Sequence, residues 1–352
     1  MVITMSVEKK LYGKLPDGRE VELYTLKNAD GMTLETIPYG CRIIRLLTKD
    51  KKGNLGDVIL GHRTLEEYLG GNFQGTFVGR YANRIGNAEF ELNGKTYKLA
   101  QNNGCNTLHG GPGGYHQVLW NVKEVKDGEE PSVSYTYTSP DGEEGYPGTL
   151  DLTVTYTLTK ENGLVMQYDA VCDRETPFNP TNHSFFNLSG DHQKEVLGTY
   201  LTLNASKVTA VTDDLIPTGE FVPVAGGPLD FTKAKLLGDD MFAEDHLIQL
   251  CEGFDHNFCV DGTGCRKFAE AYEPESGRVM EVYSDLPGVQ LFTFNRASGS
   301  IGKDGKPMKP HTAFCLETQF YPDSVHHSNF PFEYLKPGVP FTSKTVYQFS
   351  TK

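Results

Sequence analysis

The chain has 352 residues, of which 38% are hydrophobic and 22% charged, and its formal net charge is −13. A chain of this length buries a substantial core, as one large domain or two smaller ones, and its acidic balance excludes nucleic acid and anionic membrane as main partners, since both need clustered Lys and Arg. The 38 Gly and 19 Pro mark a folded, turn-rich protein rather than a disordered one.

Met1 to Lys10 lacks a charged n-region followed by a long apolar core, and no later stretch approaches the roughly 18 apolar residues of a membrane span. A cytoplasmic protein is expected, in which the Asn-x-Ser sequons at Asn182, Asn187 and Asn204 are accidental. Thr64-Leu-Glu-Glu67 reads as a capping box opening a short helix that Gly70 stops. Phe90 to Tyr97 alternates around Asn93-Gly94 as a hairpin, and Ser132 to Thr138 is a further strand. In Asp151 to Thr159, Leu152, Val154, Tyr156 and Leu158 share one face and threonines the other, as in a half-buried antiparallel strand. An Asn162-Gly163 turn follows, and Leu164, Met166, Tyr168 and Ala170 resume the alternation. Asp239 to Cys251 holds another short helix, and Val289 to Phe294 another strand. The last candidate, Thr312 to Tyr321, ends at Pro322-Asp323. No linker or repeat divides the chain, so residues 1–352 read as a single all-β domain, a large antiparallel β-sandwich with a few short helices. The seven scattered cysteines form no Cys-x-x-Cys pair and read as mostly reduced core residues.

Glu317 is the anomaly of that last strand. Phe314, Leu316 and Phe320 share one face; Cys315, Glu317 and Gln319 share the other. Burying an unpaired carboxylate costs several kcal/mol, so either the polar face meets water or an arginine, or the pKa of Glu317 is tuned for proton transfer.

Other segments place polar groups among Gly and aromatic residues. Gly79-Arg-Tyr-Ala-Asn-Arg-Ile-Gly86 offers Asn83 and Arg84 as donors to hydroxyls or a carboxylate, or as a structural loop. In Asn102 to Gly114, His109 precedes glycines that let backbone and ligand approach closely; no Gly-Lys-Ser/Thr ending marks a phosphate loop. His183, among Asn182, Ser184, Phe185 and Phe186, is either a proton donor or a satisfied core histidine. Asp255, between Phe254 and His256, accepts from ligand hydroxyls or caps a turn. His326 and His327 are adjacent and would face opposite sides of a strand, so no metal site is expected. Gly-x-Ser-x-Gly is absent. What remains is acid–base chemistry on a small polar ligand.

Ala82-Asn-Arg-Ile85, Asn106-Thr-Leu-His-Gly-Gly111, Thr181-Asn-His-Ser-Phe-Phe-Asn-Leu188, Phe254-Asp-His-Asn-Phe258 and Glu317-Thr-Gln319, in this order, resemble the aldose 1-epimerase (galactose mutarotase) family, from about Tyr12 to Phe349. The resemblance implies a β supersandwich that interconverts the α and β anomers of a free hexose such as galactose or glucose, without cofactor or metal, as a monomer or homodimer. It implies Glu317 as catalytic base and His183 as general acid, flanking the scissile bond from opposite sides. Asn83, Arg84, His109, Ser184, Phe185, Asp255 and Gln290 become sugar-binding residues. Phe185 stands where the family often carries Tyr, which leaves ring stacking as its expected role. Glu317 must then be ionised while His183 is protonated, so its neighbours should lower the cost of its charge. A non-catalytic carbohydrate-binding module would not need both groups. A hexose-phosphate epimerase would need extra basic residues, and a hydrolase a second carboxylate, for which only Asp255 is available.

Overall fold

The alternation around Leu152 becomes the strand Leu150–Leu158, whose residues at 150, 152, 154, 156 and 158 are buried. It pairs with Gly163–Cys172 across the Asn162 turn, Leu158 opposite Leu164. Full burial of such side chains contributes about 1.5–3 kcal/mol each, which is why the pattern sets the register. This computed structural model describes residues 6–352; the expectation for residues 1–5, that they open a leaderless N-terminus, lies outside them.

The two strands sit inside a nine-stranded sheet that runs 121–126, 132–139, 150–158, 163–172, 341–351, 278–284, 266–273, 200–203, 235–236. A five-stranded meander covers part of its inner face, from 6–14 to 55–57. A second five-stranded sheet covers the rest, in the order 217–223, 205–211, 255–260, 288–292, 315–319. All three contribute to one apolar core: Leu34 and Leu46 from the meander, Tyr156 and Tyr347 from the large sheet, Phe258, Leu291 and Leu316 from the third. Each named strand pair is antiparallel. The architecture is the expected all-β supersandwich.

The helices are short. Leu65–Tyr68 carries the capping box of Thr64 and Glu67, and the stretch expected to hold one helix near Cys251 holds two, Leu237–Asp240 and His246–Cys251. Among the described residues, no helix is long and apolar enough to cross a membrane. The strand expected over Thr312–Tyr321 is confined to Cys315–Gln319. His326 and His327 therefore do not lie on a strand: Asp323, with φ 56°, turns the chain into the 3₁₀ helix Ser324–His326.

The third sheet leaves no free space for a side chain at position 288. A Cβ there would stand 2.8 Å from both Asn257 Oδ1 and Tyr321 Cδ1, and Gly288 lies opposite Gln319 in the strand pair that carries Glu317. Gly288→Ala should therefore cost about 1–3 kcal/mol of stability, as overpacking in a dense core does. Urea unfolding checks this, and an unchanged midpoint would show that Tyr321 yields freely.

Candidate active site

Register places the chemistry. In the third sheet, Gln290 pairs with both Asn257 and Glu317, and Phe292 pairs with both Asp255 and Cys315. Residues directly opposite share a face, so Asn257, Gln290 and Glu317 form one row above the core and Asp255, Phe292 and Cys315 the next. Leu291 and Leu316 point the other way, into the apolar core. The face that carries Glu317 is not wet: the glutamate is only 2% exposed.

Loops from the first third of the chain roof it over. Arg42, fully buried, donates to Asn72 Oδ1 at 3.0 Å, to the Gln74 carbonyl at 2.8 Å and to the His116 carbonyl at 3.2 Å, and so fixes the Asn72-Phe73-Gln74 segment. Phe73 packs at centroid distances of 4.7 Å on His109, 4.6 Å on His116 and 5.9 Å on His183. Gly75 then clamps the backbone of His183: its N–H donates to the His183 carbonyl, and the His183 N–H donates to the Thr76 carbonyl, both at 2.9 Å. Gly75 has φ +73°, and a Cβ there would lie 2.1 Å from the Ile43 carbonyl oxygen, so no other residue fits. The His183 ring stacks on Phe185 at 4.8 Å and 16°, and its Nε2 stands 3.5 Å from Glu317 Oε1.

Asn83 and His109 hold each other. The His109 N–H donates to the Asn83 carbonyl at 2.9 Å, and the Asn83 N–H donates to His109 Nδ1 at 3.1 Å. The second bond sets the tautomer: the lone pair is on Nδ1, so the neutral ring keeps its proton on Nε2 and acts as a hydrogen-bond donor. Arg84 is braced by Asn103, whose Oδ1 accepts from its Nε at 3.0 Å.

These groups enclose a cavity of about 330 Å³, at the small end of the range for small-molecule sites. Asn83, Arg84, His109, His183, Phe185, Asp255 and Glu317 all line it. Two expected site residues do not. Ser184, next to His183 in an extended segment, turns away and donates to Asn182 Oδ1 at 2.6 Å. Gln290 is screened from the cavity and donates to Asp255 Oδ1 at 2.6 Å, so it orients a lining residue instead. Phe73, Phe292, Phe294 and Arg296 also line the cavity. The Gly70-Gly-Asn-Phe-Gln-Gly75 sequence held a signal for Phe73, an aromatic flanked by turn glycines; nothing local marked the others. A larger hollow of about 600 Å³ beside Phe320, Phe332 and Phe341 is lined by no histidine.

Burial dominates the electrostatics. It raises the Glu317 carboxyl well above its ordinary range, Asp255 raises it further, and Arg84 alone opposes. Burial lowers His183 to about 3, with its own backbone opposing and Arg42 adding to the effect. Burial likewise holds His109 far below the usual imidazole range, helped by His183, Arg84 and His116. Burial thus favours the neutral form of each, a carboxylic acid at Glu317 and an uncharged imidazole at His183. This corrects the expectation that neighbours make the Glu317 charge cheap: the aromatic and histidine roof removes water, while Glu317 Oε2 has no hydrogen-bond partner. One nitrogen each from His109 and His183 and an oxygen of Glu317 lie within 4.8 Å of one another, close enough to hold a metal ion. The His109 tautomer argues against it, since Nδ1 is taken and Nε2 bears the proton, leaving no bare lone pair to ligate.

A family model described as Aldose 1-epimerase matches residues 22–348. A galactose mutarotase of Sus scrofa is 42% identical over 98% of this chain and 99% of its own. An aldose 1-epimerase of Escherichia coli (strain K12) is 32% identical over 95% and 96%. The crystal structure of a galactose 1-epimerase from Lactobacillus acidophilus NCFM superposes with a TM-score of 0.87 at 27% identity, covering 99% of each chain. Fold and relatives together define a carbohydrate isomerase. The chain belongs to the aldose 1-epimerase family.

A carboxyl whose folded pKa is raised contributes stability below its unfolded value, ordinarily 4.5, and loses that stability as pH rises through the folded value. Glu317→Gln removes the loss. The variant should unfold at a higher temperature than the parent at pH 8, with the gap closing toward pH 4.5; thermal scans across this range that run in parallel would contradict it.

Proposed function

We propose that the protein is a mutarotase that interconverts the α and β anomers of free hexoses such as galactose and glucose, with Glu317 and His183 as its proton-transfer pair. The observation that carries this is the 3.5 Å approach of Glu317 Oε1 to His183 Nε2, both buried, on the wall of the small cavity. Mutarotation needs a base for the hydroxyl on C1 and an acid for the ring oxygen. Both oxygens are bonded to the same carbon, so acid and base belong side by side rather than on opposite sides of the bond.

Glu317 takes the proton of the C1 hydroxyl, and the O–H electron pair becomes the C1=O π bond. The C1 to ring-oxygen pair leaves onto the ring oxygen, which receives the Nε2 proton of His183. The open aldehyde rotates about C1–C2, and closure reverses every transfer on the other carbonyl face. A carboxylate beside an imidazolium holds the same number of protons as a carboxylic acid beside a neutral imidazole. The empty site favours the neutral form of the pair, and a bound sugar favours the ionised one: its hydroxyl donates to the carboxylate while its ring oxygen accepts from the imidazolium. Asp255 accepts from ring hydroxyls, the His109 Nε2–H and Arg84 donate to ring oxygens, and Asn83 positions His109. Arg296 at the rim pairs with Glu252 at 3.0 Å.

The same reading takes residues 1–352 as one domain that acts on a small neutral ligand. Seven unpaired cysteines, with Cys105 and Cys265 exposed, suit a reducing compartment, and we place the protein in the cytoplasm.

The protein should accelerate the polarimetric relaxation of freshly dissolved α-D-galactose or α-D-glucose without added metal. Relaxation at the buffer rate with both sugars would refute the assignment. Glu317→Gln should lower kcat about 10²–10⁴-fold, the worth of one positioned proton transfer, with sugar affinity retained. In the pH profile of kcat/KM, the acid limb reports a second proton entering the pair; since burial holds His183 to about 3, that limb should lie well below 6.5. A limb centred at 6.5 would mean that His183 titrates as if solvated.

A further inference from the structure

We propose that Cys315 is a positioning residue for proton transfer, its thiol holding the Nδ1 edge of His183 so that Nε2, and only Nε2, exchanges a proton with Glu317 and the sugar. The inference rests on the reading of His183 as the acid. Cys315 Sγ lies 3.6 Å from His183 Nδ1, within range for a weak sulfur hydrogen bond. Cys315 is fully buried and His183 is 6% exposed, so water does not compete for that edge.

The need for such a group follows from the packing. Phe185 at 4.8 Å and Phe73 at 5.9 Å, with ring planes within 16° and 20° of the imidazole, fix the plane of the His183 ring. An aromatic face does not distinguish a nitrogen from a carbon. A half-turn about the Cβ–Cγ bond would keep both stacks and replace Nε2 by a carbon. Only groups at the ring edges detect that flip. Besides the backbone of His183 itself, which also favours a protonated ring, they are Cys315 at Nδ1 and Glu317 at Nε2, two positions apart on the face of one strand, so a single rigid element holds both edges.

The chemistry of sulfur also fits. While Nε2 gives up and regains its proton, Nδ1 must keep its own. A carboxylate at Nδ1 would anchor that proton but favour the imidazolium strongly, opposing its donation. Sulfur is a weak acceptor, which orients the ring without holding it charged. Burial, then Glu317 and Asp255, raise the Cys315 pKa, so the group stays a neutral thiol rather than a thiolate that would act as such an anchor.

The test is Cys315→Ala beside Cys315→Ser, with kinetics and long-range ¹⁵N–¹H spectra of the histidine rings. Cys315→Ala should lower kcat by about 10²-fold, the scale of a misplaced catalytic group, with KM nearly unchanged, and the His183 nitrogen signals should shift toward an averaged tautomer. Unchanged kcat and unchanged His183 signals would overturn the proposal. Should the alanine variant not fold, the near-isosteric serine still decides: a hydroxyl is the stronger acceptor, so the His183 pKa should move upward, and an unmoved titration would overturn the proposal equally. His183→Asn separates the two readings. If it keeps parental activity, the acid assignment itself fails; if it is inactive while Cys315→Ala is fully active with unaltered spectra, only the role of Cys315 fails.

Discussion

The site is built around a carboxyl and an imidazole buried 3.5 Å apart, Glu317 and His183, which the proposed mechanism treats as sharing a single mobile proton. Neither group is cheap to bury charged, and burial alone drives each toward its neutral form. The pair escapes this cost because its neutral and ionised forms differ only by one internal transfer. In the proposed mechanism a sugar that supplies a donor to one partner and an acceptor to the other tips that balance, so that substrate binding, rather than a resident counter-charge, makes the ionised form.

Much of the surrounding architecture keeps that contact in place. The antiparallel register brings Glu317 beside Gln290 and the row of Asp255, and Gln290 in turn orients Asp255. Arg42 is spent on the carbonyls of the loop that carries Phe73, and Gly75 fixes the His183 backbone. Backbone strain gathers here as well: Asn83, His109 and Phe294 adopt φ of 58°, 52° and 47°, a region that non-glycine residues enter at some cost. Their packing holds them there, Asn83 and His109 through the reciprocal bonds that also set the His109 tautomer. An unpartnered Glu317 oxygen and strained loops are stability given up for a preorganised site.

The sheets were legible in the sequence because half-buried strands write their burial as a period of two: Leu152 to Leu158 and Leu164 to Ala170 could be read directly. The odd carboxylate of Glu317 was legible for the same reason, since one charge interrupts a strand. Motif residues that line the cavity, such as Arg84 and Asp255, followed from the resemblance. Two further residues implied by the resemblance, Ser184 and Gln290, do not line the cavity: Ser184 donates to Asn182 and Gln290 to Asp255, and a sequence does not record which way a side chain points. Arg296 reaches the cavity from an irregular segment with no period to read, and Phe294, expected to end a strand, lies beyond the strand's observed end at Phe292. The environment of the Glu317 charge was not legible because it depends on how completely the loops at residues 72–74 and 83–84 exclude water, which is a property of tertiary packing.

Whether the proton belongs to the pair can be counted. Isothermal titration of galactose into the protein, repeated at one neutral pH in buffers of different ionisation enthalpy, reports the protons exchanged with solvent on binding. A proton that merely moves from Glu317 to His183 predicts a binding enthalpy independent of buffer. An enthalpy that scales with buffer ionisation, with uptake of about one proton per bound sugar, would show that the empty site holds no shared proton and would contradict the central role given to the pair.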